Sequence, residues 1–163
     1  MNNNEEHKNK VAMAIEVGRL LPETKEKVLF YKEIIESEKE LIDALESRKN
    51  SFFVSKMNKA KERAEIVRLK NSILQKQKVF ESYVKRKNEY EKWLDEMALE
   101  VNTKFDEIME EAKLIPYTSN PRLQDGIKKY ESLEETNTLQ ERVEFYLFLK
   151  NEVNNYKKFS KKK

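Results

Sequence analysis

His7 is the single histidine of this 163-residue chain, and there is no cysteine. Imidazole chemistry therefore has one candidate and thiolate chemistry has none. Standing in the polar stretch 2–10, His7 reads as a surface residue rather than a general base. Two-metal carboxylate sites of helical bundles take a Glu-x-x-His pair from each of two helices, which one histidine cannot supply. Position 4, three before His7, is Asn as well. The acidic group Glu107, Glu110 and Glu111 follows helical spacing on the side away from Ile108, and it reads as a solvated or partner-facing surface. Gly18 and Gly126 are the only glycines, too few for a phosphate-cradling loop. A serine nucleophile would need a base and a tight elbow that this chain does not offer. The expectation is a non-enzymatic protein with no catalytic or metal-binding residues, no cofactor and no small-molecule substrate.

What remains is recognition, and the charge distribution bears on it. The total of +3 hides blocks of opposite sign. Residues 1–47 hold 7 basic and 11 acidic side chains, net −4, and 48–92 hold 14 and 5, net +9. Residues 93–144 hold 6 and 13, net −7, and 145–163 hold 6 and 1, net +5. In the favoured reading the basic middle folds against acidic neighbours, its own or those of a second copy, and the charges set pairing register. In the other, Arg63, Arg68, Lys70, Lys85, Arg86 and Lys87 form a phosphate-binding stripe. Lys161, Lys162 and Lys163 would be its flexible arm, since Glu152 is the only acid near them in sequence.

Aromatic residues interleave with these cations, as in sequence-tolerant single-strand binders. Phe80, Tyr83 and Tyr90, however, keep helical register with an apolar column and read as core. Trp93, one position off that column, and Phe145, Leu147 and Phe148, in a segment apolar nearly all round, read as a partner-facing patch.

The elements that must carry these residues are helices. Residues 23–115 contain neither glycine nor proline, and one heptad column through them stays mostly apolar. It runs Leu45, Phe52, Lys59, Ile66, Ile73, Phe80, Lys87, Leu94, Val101, Ile108 and Ile115. A seven-residue repeat of this kind is a coiled-coil-like seam. Ile66, Ile73, Phe80, Leu94, Val101, Ile108 and Ile115 are accordingly expected to face a partner helix. With 38% apolar against 39% charged residues, only a narrow core can form.

Punctuation sets the boundaries. A short amphipathic helix is predicted over 5–21, ended by Pro22, which then starts another. The region 22–115 is helical with a break near 48–61, at Asn50 or Asn58, where polar and poor helix-forming residues accumulate. Pro116 and Pro121 bound a loop over 116–121. Helices follow over 121–135 and 139–157, although Asp125-Gly126 could form a turn in the first. Thr138 and Glu141 make a capping box for the second, and a basic tail covers 158–163.

The fold class is all-α: a single helical domain, an elongated bundle or antiparallel coiled-coil-like hairpin with additional short helices at both ends. The function expected of it is structural or adaptor-like, self-associating or docking into a larger assembly such as a viral or phage particle or a scaffold complex. A nucleic-acid-binding helical protein is the alternative. The acidic, polar N-terminus is unlike a signal peptide. The longest apolar clusters, 11–15 and 145–149, fall far short of the roughly 20 residues that cross a bilayer. A cytoplasmic protein, or a virion component assembled in the cytoplasm, is the expectation.

Overall fold

The computed structural model of the protein describes residues 2–49 and 55–162, the side chains of Lys49 and Glu134 excepted. Among them every regular element is helical. Helix α1 spans Asn3–Lys49, α2 Lys56–Lys113, α3 Pro121–Ser132 and α4 Leu139–Ser160, with a 3-10 turn at Glu134–Thr136. Helices α1 and α2 pack as an antiparallel hairpin, and the shorter α3 and α4 follow. Helix α1 ends at Lys49 and α2 begins at Lys56, with Ser55 in neither, inside the 48–61 range where a break is expected; Asn50 and the seam residue Phe52 lie outside the described residues. Asn58 is not a break. It sits in the first turn of α2, where its amide donates to Ser55 Oγ at 3.2 Å, an N-terminal cap.

Pro22 departs from the sequence reading. It lies inside α1 instead of separating two helices. A proline there has no amide to give the carbonyl of Gly18 and costs about 3 kcal/mol in a helix interior. Val17 before it and Leu21 and Thr24 around it are all buried, and burying each large apolar side chain returns about 1.5–3 kcal/mol. Packing on both sides outweighs the local penalty.

The chain divides into two compact units. One is Leu21–Glu89. Its core is Ile35 and Ile42 of α1 against Ile66, Leu69 and Ile73 of α2, with Leu45 and Phe80 at the margin. Ion pairs flank this seam and run in opposite directions along the two helices: Arg48 with Glu62 at 3.8 Å, Lys70 with Glu46 at 3.2 Å, and Lys76 with Glu38. Tyr31 and Tyr83 stack across the hairpin with centroids 5.8 Å apart.

The other unit joins Met1–Leu20 with Tyr90–Lys163. Leu94, Met97, Val101, Phe105 and Met109 of α2 are buried in it with Ala14 and Val17 of α1, Leu123 and Ile127 of α3, and Val143, Tyr146, Leu147, Leu149 and Val153 of α4. Its turns are tied down by side chains. Gln124 Nε2 donates to the carbonyls of Ala112, in the last turn of α2, and Ile115, just beyond it, at 3.0 and 2.6 Å. Asn120 Oδ1 caps α3 through the Leu123 amide at 3.0 Å. The predicted capping box of Thr138 and Glu141 starts α4. That helix runs three residues beyond the expected 157, to Ser160, and α3 stops at Ser132, short of the expected 135.

Asp125-Gly126 is no turn: both residues are inside α3, and no glycine has positive φ. A Cβ on Gly126 would meet Phe148 Cε1 at 3.4 Å, ordinary contact. Gly126→Ala is therefore expected to raise stability by about 0.5–1 kcal/mol, the helical difference between the two residues. Urea denaturation followed by circular dichroism checks the sign.

Candidate functional site

Most of the predicted seam is buried inside the chain. Ile66 and Ile73 are core residues of the Leu21–Glu89 unit and Phe80 packs beside them. Leu94, Val101 and Ile115 are buried in the other unit, and Ile108 is half-buried there. The helix covering the Ile66–Ile73 stretch is α1 of the same chain, so those side chains are not free to receive a partner.

The aromatic patch is likewise largely used. Leu147 is 2% exposed and belongs to the core, so it drops out of any partner-facing surface. Phe145 stacks on Tyr130 of α3 with centroids 4.1 Å apart and lies 5.9 Å from Phe148. Arg122 covers the Phe148 ring at 5.6 Å, and Arg142 covers Phe105 at 5.0 Å. Trp93 is half-buried. Tyr90 is buried with its hydroxyl donating to Glu16 Oε1 at 2.9 Å, and Tyr83 is stacked on Tyr31. Neither ring is available to stack on a base.

The basic stripe is divided. Lys70 pairs with Glu46, and Arg68 grips Glu65 on its own helix through Nε at 2.8 Å and a terminal nitrogen at 2.5 Å. Lys87 is half-buried, whereas Arg63, Lys85, Arg86, Lys161 and Lys162 are exposed. Lys163 lies outside the described residues. The C-terminal cations also have a neighbour the sequence conceals: Lys157 Nζ is 2.5 Å from Glu111.

A constellation not anticipated from the sequence centres on Glu100 of α2. Its Oε2 accepts from Lys10 of α1 at 2.9 Å. Its Oε1 accepts from Tyr146 at 2.9 Å and Lys150 at 3.1 Å, both of α4. Burial alone would raise the carboxyl pKa, but the hydrogen bonds from these three donors win and hold it at about 2. Tyr146 is pushed the other way, first by burial and then by the carboxylate it faces. One carboxylate thus ties three helices. Glu100 directly precedes seam residue Val101, so it could have been placed at the seam margin, but its partners lie 90 and about 50 residues away and share no motif with it.

A carboxylate saturated with donors is a poor base at neutral pH, and what this one does in the structure is tie helices together. Because the folded pKa lies below the unfolded one, the stabilisation is complete above about pH 4.5 and is lost as pH falls towards 2. Glu100→Gln is expected to cost roughly 1–3 kcal/mol at pH 7, the scale of charge-assisted hydrogen bonds in a partly buried site. The gap between parent and variant should close as acid unfolding is followed from pH 5 to pH 2. An unchanged gap would mean that the charge is not what the network uses.

Among the described residues no helix is long and apolar enough to cross a membrane. No protein-family model matches the chain, and comparison with curated proteins and with solved structures finds no significant match.

Proposed function

We propose that this is a non-enzymatic structural or adaptor protein that self-associates through the outward faces of its Leu21–Glu89 hairpin. What supports this is a second apolar register outside the filled seam. On α2, Val67 and Leu74 stand one heptad apart and are 59% and 58% exposed. On α1, Ile34 and Leu41 stand one heptad apart, the first half-buried and the second 46% exposed. A single helix pair buries one seam only, and further apolar columns call for another layer.

Charge favours a second copy as that layer. Within the hairpin, residues 21–47 of α1 carry 8 acidic and 4 basic side chains, net −4, while residues 56–89 of α2 carry 4 and 11, net +7. A two-fold pairing that lays α1 of one copy on α2 of the other is complementary in both contacts at once. The compartment that goes with this reading is the cytoplasm, or a particle or scaffold assembled there, in keeping with a chain that has no cysteine.

Size-exclusion chromatography with light scattering tests the proposal. The parent is expected to run as a dimer or larger at about 100 μM and to weaken as salt is raised. Val67→Asp with Leu74→Asp should give a monomer of unchanged helicity, since both side chains are exposed already. A parent that stays monomeric at that concentration defeats the proposal.

Exposed Arg63, Lys85 and Arg86 support a second reading, binding of a nucleic-acid backbone. It requires that a fluorescent single strand bind with steep salt dependence and that Lys85→Glu with Arg86→Glu abolish the binding.

A further inference from the structure

We propose that the cleft between the first four turns of α1 and the facing side of α4 binds an alkyl phosphate: a compact anionic head on an apolar chain. The cleft has two arms of opposite character that share His7 and Asn151 as walls. The apolar arm, about 640 Å³, is lined by Val11 and Ile15 of α1 and by Leu147 and Phe148 of α4. The polar arm, about 370 Å³, carries side-chain amides such as Asn3 and Asn154, together with Lys158 and Lys161. Both volumes lie within the roughly 300–1,000 Å³ of small-molecule sites.

Three observations select the ligand class. The polar arm holds cations and amide donors and no acidic residue, a set suited to a phosphate and to no cation. Lys157, on the same wall, is engaged by Glu111, which leaves Lys158 and Lys161 to meet the head. At the junction both ring nitrogens of His7 are shielded from solvent and have no hydrogen-bond partner. Burial first, and then the nearby ammonium groups of Lys150 and Lys10, lower the His7 pKa, with Glu100 opposing them. Those nitrogens are turned away from the open cleft, so the head is met by the lysine and asparagine side chains of the polar arm, and the His7 ring forms the wall beside which its charge arrives. The apolar arm then accounts for the chain: its single acidic residue, Glu144, accepts from Gln140 at 3.0 Å, and Ile15 stands 63% exposed with nothing over it.

The single histidine makes the test unambiguous, because its imidazole nitrogen resonances report one site. Octyl phosphate, inorganic phosphate and octanol are titrated separately into the full-length protein. Octyl phosphate is expected to shift the His7 signals and to bind at least tenfold more tightly than either of the others. Lys158→Ala with Lys161→Ala should weaken octyl phosphate about tenfold and leave octanol unchanged, and Ile15→Ser should weaken both while inorganic phosphate is unaffected. Helicity by circular dichroism confirms that these exposed-site variants fold. Cosedimentation with phosphatidic acid vesicles, or binding of octyl phosphate without it, distinguishes a membrane headgroup from a free amphiphile, and either result upholds the chemistry. Octanol binding as tightly as octyl phosphate, inorganic phosphate doing so, or binding with His7 unmoved each overturns the proposal.

Discussion

A carboxylate at the margin of an apolar seam has to be met by donors from the facing helix, and much of this structure follows from meeting that demand. Glu100 is answered by Lys10, Tyr146 and Lys150, and Glu38 by Ser72 and Lys76. Hydrophobic contact between smooth heptad faces tolerates sliding by a heptad. A partly buried charge does not, because a slipped register would leave it unpaired at a cost of several kcal/mol. The ion pairs therefore hold α1 and α2 in one antiparallel alignment and α4 in one position against them.

The same constraint explains how charge blocks of opposite sign coexist with a narrow core. Acids of α1 fall opposite bases of α2 in the Leu21–Glu89 hairpin, so part of the basic block is neutralised locally. Both units leave some apolar side chains open. Where α3 and α4 add a further layer, the chain buries side chains from four helices almost completely, Val17, Val101, Leu123, Val143 and Leu149 among them. Where only two helices meet, the open apolar side chains fall in columns beside the seam, such as Val67 and Leu74; in the four-helix unit they stand elsewhere, such as Leu99, Leu114 and Phe159.

Helix α4 fills the core with one face and lines a cleft with another. Its inward residues Val143, Tyr146, Leu149 and Val153 fill the core, while Gln140 reaches the Ala14 carbonyl at 2.7 Å and fixes the helix against α1. Gly18 keeps that approach close: a Cβ there would come within 2.7 Å of Glu144 Oε1 and 2.9 Å of Gln140 Nε2. Because α1 and α4 run antiparallel, the asparagine-rich start of the chain meets its lysine-rich end. Neither segment has a ligand-binding pattern alone; together they form the polar arm of a cleft.

Local chemistry made much of this legible from residues alone. Helical propensity, the heptad column, the loop bounded by Pro116 and Pro121 and the capping box at Thr138 depend on neighbours within about one turn to two heptads, and the all-α hairpin follows from them. Pro22 reads as a helix boundary in sequence because its local penalty of about 3 kcal/mol is visible there and the burial of Val17 and Leu21 around it is not. The partners of Glu100, the pairing of Lys157 with Glu111 and the shielding of His7 were illegible for a different reason: each joins residues many turns apart, and no spacing rule connects them. Sequence by itself determined which faces of which helices are apolar. Only tertiary packing decided which of those faces the chain covers with its own helices and which charges end up paired, because burial and Coulomb energy depend on distance in space and not on distance along the chain.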